Sequence, residues 1–264
     1  MDDAEIDSRP DETRTRAPEG MAGLAKGLAI IELFGRTSSR LSVASAAEGI
    51  GVARATARRC LLTLVDLGYV EYDGRYYRPT PRMLRLGSAY LDTSSLPDLA
   101  DQHLVDARDE LDESVSLAVW EQGWSIFVAR SEAQRIVKTG VRVGARLPAH
   151  CSATGRVLLA ALDDDEVREQ LAAADRERRT PHTVTDLDEL LDVVRHVRAE
   201  GFAISDEELE LGMRAIAVPV TDGAGRTVAA MSVSASAARV SAERMRREFV
   251  PVLRREAGRL GRKL

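Results

Sequence analysis

The sequence predicts an α+β protein in two parts. An N-terminal winged helix-turn-helix is followed by a linker helix and then by a C-terminal domain built on an antiparallel sheet. Three observations carry this. Apolar residues recur at helical spacing through residues 21–67, with a glycine-containing break between two of the helices. Two runs of β-favouring residues around Asp73-Gly74 follow at once. Beyond residue 96, strand-like runs interleave with amphipathic helices, the pattern of an antiparallel sheet with peripheral helices. At 264 residues the chain is long enough for two cores.

Residues 1–20 carry seven acids against three arginines and have no apolar periodicity, so they read as a disordered tail. Leu24, Leu28, Ile31 and Phe34 place an amphipathic helix over Met21 to Phe34, packing on the helices after it. Ser42 suits the N-cap of a helix from Val43 to Glu48. The segment Gly49-Ile50-Gly51-Val52 then breaks the pattern before a second helix from about Ala53 to Leu67. Its apolar stripe is Ala57, Cys60, Leu61, Leu64 and Val65, which leaves Arg54, Ala55, Arg58 and Arg59 on the exposed side. The stretch LGYVEYDGRYYRPT reads as two short strands joined by a two-residue Asp73-Gly74 turn, a wing. The winged unit thus spans residues 21–80, and a linker helix opened by Pro81 spans 81–95.

The second domain, residues 96–264, begins with strands at Ser116–Trp120 and Ser125–Arg130 around Gln122-Gly123, and a third at Ile136–Val143. Helical periodicity covers Gly155–Leu162, Asp164–Ala173 and Leu187–Glu200, the last ending at Gly201. Strands at Arg214–Val220 and Thr227–Ser234 flank the turn Asp222-Gly223-Ala224-Gly225, and the chain is helical from Ser241.

Composition narrows the function. The net charge is -5, yet residues 21–80 hold eight bases against five acids, a local surplus suited to an anionic partner. A helix presenting Arg54, Arg58 and Arg59 suits the major groove, where guanidinium groups meet guanine edges or phosphates and the Thr56 hydroxyl adds a contact. Ala55 on the same face, Ser42 at the preceding helix start and Arg75 in the wing complete the DNA-binding set, with Arg78 toward the backbone. Solvated arginines on any surface helix are the ordinary alternative; the adjoining turn and wing favour DNA.

Other chemistries find less support. No apolar run approaches the ~20 residues of a membrane span and the N-terminus is acidic, so the expectation is a cytoplasmic protein with no membrane partner. The two cysteines, Cys60 and Cys151, read as small core residues. His150 beside Cys151 invites a nucleophilic dyad, but neighbours on an extended segment point apart and no orienting carboxylate is evident, so no catalytic residue is assigned. His103, His150, His182 and His196 are scattered, and neither a metal nor a cofactor is expected. LPAHCSATGRVLLA leads small and hydroxyl residues into a helix, which fits either an anion at its N-terminus or plain capping by Ser152 or Thr154. The acids of Asp206-Glu207-Glu208-Leu209-Glu210 are either solvated surface or a loop over a pocket.

GLAKGLAIIELF, IGVARATARRCLLTLVDLGYVEYDGRYYRPTPRMLRLGSAYL, LPAHCSATGRVLLA and GFAISDEELELGMRAIAVPVTDGAGRTVAAMSVSAS occur in the order and spacing of one family. In them the chain resembles the IclR family of bacterial regulators, from about Gly23 to Leu260. ARRCLLTLVDLGYV, LGSAYL and RLPAHCSATGRVLLA look most like the branch that governs aromatic-acid catabolism through protocatechuate, β-ketoadipate or 4-hydroxybenzoate. The resemblance implies a GAF-like effector domain, a homodimer or tetramer, palindromic double-stranded operator DNA and a small carboxylate effector. It places effector contacts at Ala153, Thr154, Ser205, Ala215, Ser232 and Ser234, with Met213 as an apolar wall.

The chain departs from the family in places. Ser205 and Ala215 stand where the glyoxylate- and pyruvate-sensing members carry an acid and a thiol, and SATGR replaces the aromatic branch's usual threonine-serine-methionine-glycine-arginine. A regulator sensing a small aliphatic acid is the alternative, and a Cys151-dependent enzyme a more distant one. An aromatic carboxylate needs a cationic or hydrogen-bonding partner, for which Arg142, on the strand before the motif, and His150 are candidates; surface exposure is the alternative for Arg142.

Overall fold

The structure, a computed structural model, describes residues 20–34, 39–134 and 141–264. It divides into two compact units, one ending at Ser88 and one running from Ala89 to Leu264. The acidic tail expected over 1–20 lies, but for Gly20, outside the described residues. Among the described residues no helix is long and apolar enough to cross a membrane.

The first unit contains α1 (Ala22–Leu33), α2 (Val43–Gly49), α3 (Arg54–Asp66), β1 (Val70–Tyr72) and β2 (Tyr77–Pro79). Ser42 caps α2 in a reciprocal box: its hydroxyl accepts from the Ser45 amide at 3.1 Å, while the Ser42 amide donates to the Ser45 hydroxyl at 2.9 Å. Gly51, at φ +65, makes the turn into α3 that a side chain would strain. The core joins Ile30, Leu33, Leu41, Ala46, Ala57, Leu61, Leu64, Val70 and Tyr77.

Two sequence expectations need correction here. Leu24 and Leu28 are exposed, and α1 instead buries Ile30 and Leu33 in the core it shares with α2 and α3, with Ile31 and Phe34 packed against it. Leu33 lies over Gly49, its Cδ1 2.8 Å from where a Cβ would stand. The wing loop has four residues rather than two: Tyr72 pairs with Tyr77, and Asp73–Tyr76 close the hairpin. The Asp73 carboxylate sets that loop by accepting from the Arg75 and Tyr76 amides at 2.9 and 2.7 Å, which also holds its pKa below the usual range.

A 3₁₀ turn at Pro81–Met83 leads into α4 (Leu84–Thr93), and α5 (Ser95–Leu111) follows. The second unit's sheet comprises β3 (Val115–Glu121), β4 (Trp124–Ser131), β5 (Arg146–Pro148), β6 (Ala203–Asp206), β7 (Met213–Thr221) and β8 (Thr227–Ser236). All neighbours are antiparallel, in the order β5-β4-β3-β8-β7-β6. Gln122 and Gly123, at φ 42 and 84, make the tight β3–β4 turn. The strand expected at Ile136–Val143 falls partly outside the described residues, its visible end at 141–143 is not strand, and β5 begins only at Arg146.

Alternation divides the two faces of this sheet. Val115, Leu117, Ile216, Val218, Val220, Ala229, Met231 and Val233 turn toward α5 and α10 (Val250–Gly261) and form the largest core. The opposite face meets α6 (Ala153–Leu159), which also packs on α8 (Leu187–Glu200); α8 in turn contacts α7 (Asp164–Ala173). The C-terminal run begins with α9 (Ala242–Arg244) and passes through a π turn at Met245–Phe249 before α10. Pro251, which cannot donate a backbone hydrogen bond, follows that turn, and the Val250 amide reaches back to the Met245 carbonyl instead.

Two glycines of α10 provide a matched test. A Cβ on Gly261 would collide with the Thr221 carbonyl oxygen, whereas one on Gly258 would meet only the tip of Arg262, at 3.8 Å. Gly261→Ala should therefore lower the unfolding free energy by about 1–3 kcal/mol through overpacking. Gly258→Ala should leave it unchanged or raise it by up to ~1 kcal/mol through helix propensity. Urea denaturation midpoints at constant slope measure both.

Candidate functional site

Each unit presents one surface built for binding. In the first, α3 exposes Arg54, Ala55, Arg58 and Arg59, with Thr56 half-buried beside them. Ala57, Leu61 and Leu64 anchor the opposite side in the core, so burial fixes which face the arginines take. Ser42 is engaged as the α2 cap. In the wing, the Arg75 guanidinium lies 5.1 Å from the Tyr76 ring centroid, and Arg40, which the sequence reading did not single out, lies 4.3 Å from the same ring. The Leu41–Tyr77 bridge brings Arg40 there, a long-range pairing invisible to local periodicity.

The second unit holds a cavity of about 630 Å³ over the sheet face that α6 covers. Its floor follows from strand register. Arg130 pairs with Ser116, Ser116 with Ser232, and Ser232 with Ala217, giving one row across four strands. The next row runs Ser234, Ala215, Ser205. Cross-strand partners share a face, so these rows form a grid of serine and alanine about 4.8 Å apart from strand to strand. Such small residues leave the space above the sheet open, while their odd-numbered neighbours on β3 and β8 fill the core beneath. Phe127, Val141, Leu147, Leu209 and Met213 supply apolar walls, and Ala153 and Thr154 line the α6 end.

A β-bulge brings Arg130 into this wall. Leu117 pairs with Ala129 but Ala118 pairs with Phe127, which leaves Val128 as an extra residue. Phe127 and Arg130, three apart, therefore both reach the cavity. Plain alternation along β4 would have sent them to opposite faces, which is why sequence reasoning missed Arg130. Its Nη1 donates to Ser116 Oγ at 2.8 Å, and Glu132 lies 3.5 Å from Nε. Burial is the main influence on this guanidinium and lowers its pKa, with Glu132 opposing.

Helix α6 is held by a buried ion pair that sequence reasoning also missed. Arg156 donates to the two Glu208 carboxylate oxygens at 2.5 and 2.6 Å and to the His150 carbonyl at 2.9 Å. The Glu208 carbonyl accepts from Thr183 Oγ1 at 2.6 Å. Of the two readings of the acidic run the loop over a pocket fits better: Leu209 and Glu210 border the cavity, while Glu208 points inward to Arg156 and Asp206 pairs with Arg214. Ser152 caps α6 by accepting from the Gly155 amide at 3.2 Å, and Ser205 Oγ donates to the Cys151 carbonyl at 2.7 Å.

Of the nine effector candidates, Ala153, Thr154, Ser205, Met213, Ala215, Ser232 and Ser234 line this one cavity. Two do not. Arg142 is exposed in a turn rather than on a strand, because β5 starts four residues later. His150 is buried away from the cavity with Nε2 3.2 Å from the Glu177 carbonyl, and burial lowers its pKa and keeps it neutral at pH 7. Burial likewise pushes the Cys151 thiol up to about 11, so it supplies no thiolate nucleophile. Among the described residues no group of His, Cys, Asp and Glu is placed to hold a metal ion.

Comparison with known proteins matches both units. The model of the IclR helix-turn-helix domain matches residues 23–74, and that of the bacterial transcriptional regulator IclR C-terminal domain matches residues 88–262. The chain is 40% identical over 240 residues to the Pca regulon regulatory protein of Pseudomonas putida, covering 90% of this chain and 82% of that one. It is 38% identical over 250 residues to the p-hydroxybenzoate hydroxylase transcriptional activator of Acinetobacter baylyi, covering 93% and 92%. A solved inducer-binding domain of the PobR transcription factor from Acinetobacter, a double mutant in complex with 3-hydroxybenzoic acid, superposes with a TM-score of 0.61 at 33% identity. It covers 64% of this chain and 98% of its own.

The buried pair makes a stability prediction. Glu208→Gln strips the charge from the partner of Arg156 and should destabilise the second unit by about 3–5 kcal/mol, since the guanidinium stays buried without compensation. The double replacement Arg156→Met with Glu208→Leu should cost less than Glu208→Gln alone, which thermal and urea denaturation of the three chains would show.

Proposed function

The chain belongs to the IclR family of bacterial transcriptional regulators, and on that premise we propose that it controls aromatic-acid catabolism by coupling operator binding to a small aromatic carboxylate. Residues 21–80 carry the DNA contacts, residues 81–95 link, and residues 96–264 sense the effector. The flat floor of serine and alanine carries this reading. A planar ring can lie on it against Phe127 and Leu147, where hydroxyls offer hydrogen bonds and a buried cation meets an acid group. The relatives add support, one being named for p-hydroxybenzoate hydroxylase and another solved with 3-hydroxybenzoic acid.

On the DNA side, Arg54, Arg58 and Arg59 enter the major groove with Ala55 and Thr56 against base edges, while Ser42 at the start of α2 and Arg75 in the wing approach the backbone. The chain acts in the cytoplasm as a homodimer or tetramer, and two-fold symmetry calls for a palindromic operator. Effector and operator affinities are then linked, each changing the other by the same factor.

Two measurements test this. Protocatechuate, 4-hydroxybenzoate, 3-hydroxybenzoate, β-ketoadipate, glyoxylate and pyruvate are screened by thermal shift, with a saturable rise in Tm expected for an aromatic acid. A rise with glyoxylate or pyruvate alone would replace the aromatic reading with the aliphatic one. In gel-shift assays Arg58→Ala with Arg59→Ala should abolish operator binding while calorimetry finds effector affinity within about 2-fold. Undiminished operator binding by that variant would remove α3 as the recognition helix.

A further inference from the structure

Resting on the reading of the cavity as an aromatic-acid site, we propose that the Thr154 hydroxyl donates a hydrogen bond to a ring substituent of the effector, and that Ser125 fixes the direction of that bond by donating to Thr154. Thr154 is then the contact that selects among ring substituents, and Ser125 is a positioning residue behind it.

The two hydroxyls meet where α6 approaches the start of β4. Ser125 stands two residues before Phe127 and opposite Leu147 of β5, so all three share the cavity face of the sheet. Phe127, Leu147 and Thr154 line the cavity, and Ser125 is fully buried. Thr154 Oγ1 and Ser125 Oγ lie 2.8 Å apart, and among the described residues neither hydroxyl has another hydrogen-bond partner.

The number of protons decides which of them donates. Each hydroxyl carries one proton and the pair makes one hydrogen bond, so one proton is left over. Were Thr154 the donor, the spare proton would sit on Ser125, sealed inside the protein without an acceptor, which is costly. With Ser125 as donor the spare proton sits on Thr154, which borders the cavity, where a ligand meets it. Thr154 has no local outlet for it. A helical threonine often donates to the carbonyl four residues back, but here that carbonyl belongs to His150, ahead of the helix, and accepts from Arg156 Nε at 2.9 Å.

The same corner sets the chemistry of what it takes. Its walls, Phe127 and Leu147, are apolar, and neither Ser125 nor Thr154 is bonded to a charged group. One neutral hydroxyl between apolar walls compensates poorly for a desolvated carboxylate. It serves a neutral oxygen instead, such as a ring hydroxyl, whose lone pair accepts the Thr154 proton. An amino group there offers hydrogens where an acceptor is required, and a methyl group leaves the Thr154 proton without a partner.

The test is isothermal titration of the full-length chain with benzoates that carry a hydroxyl, an amino or a methyl group at the 3- or the 4-position. At the preferred position the hydroxybenzoate should bind ~10-fold or more tightly than the methylbenzoate, with the aminobenzoate within ~3-fold of the methylbenzoate. Thr154→Val, of nearly the same shape, should reduce the hydroxyl advantage to ~2-fold or less, and Thr154→Ser should keep it. Ser125→Ala should cut the advantage ~3-fold or more in the unaltered background and less than ~2-fold beside Thr154→Val, a coupling that a merely structural Ser125 would not produce. A cooperative thermal transition shows that each variant is folded. A hydroxyl advantage that is absent from the unaltered chain or survives Thr154→Val, or an aminobenzoate that binds as tightly as its hydroxyl counterpart, overturns the assignment and leaves the aromatic site standing. Equal weakening by Ser125→Ala in both backgrounds overturns the role given to Ser125. An unaltered chain that binds none of these benzoates removes the aromatic reading and this contact with it. Should Thr154→Val not fold, the hydroxyl-to-amino ratio and Ser125→Ala decide alone, a full hydroxyl advantage in Ser125→Ala counting against the proposal.

Discussion

The bidentate contact between Arg156 and Glu208 is the constraint on which the effector unit's ligand face depends. It joins stretches of chain far apart in sequence: α6 itself, the His150 carbonyl before it, the end of β6, and the Val184 amide, which donates to Glu208 Oε2 at 3.3 Å. Burying two charges is expensive, and their attraction repays it only when the remaining donors and acceptors are met. Here the Arg156 Nε has a carbonyl and the Glu208 backbone oxygen has the Thr183 hydroxyl. The two ends of the cavity that α6 and β6 provide are therefore positioned together, and moving either one requires parting a buried ion pair.

Such rigidity is what a cavity floored with small residues requires. Serine and alanine on a sheet face bury little apolar area and cannot hold α6 down by packing alone. Polar interactions above the floor make up the difference: Arg156 with Glu208, Ser205 with the Cys151 carbonyl, and Ser152 with both the Pro148 carbonyl and the Gly155 amide. Gly155 belongs to the same device, since a Cβ there would collide with the Ala149 Cα and keep α6 from seating. The pocket exists because polar groups hold up its roof while the floor stays shallow.

Much of this was legible from the sequence where a period announces itself. Asp164–Ala173 and Leu187–Glu200 begin and end as expected, since each carries an aspartate N-cap and the second a left-handed glycine at its end. Ser232 and Ser234 fall on the cavity face because alternation along β8 is unbroken from Ala229 to Ser236. What was missed lies where the period fails. No helix was placed over 96–111, yet α5 runs there with Pro97 in its first turn, where a missing amide donor is harmless. Arg156 on a short helix reads as a solvent-facing charge, but that helix is buried on every side. Arg130 was hidden by the one-residue bulge at Val128, and Arg142 drew notice only because its strand was placed too early.

The division of the sheet into two faces has an evolutionary consequence. Residues on the helix-packed face fold the unit, while residues on the cavity face mainly shape the ligand space, and successive positions along β3, β7 and β8 alternate between the two tasks. Drift at Ser232, Ser234 or Ala215 can therefore proceed with less penalty to folding than drift in the core, so the cavity's shape can change while the scaffold persists. The bulge adds a coarser lever, for losing one residue of β4 would turn Arg130 from the cavity toward the helices and take a buried guanidinium out of the cavity wall in a single step.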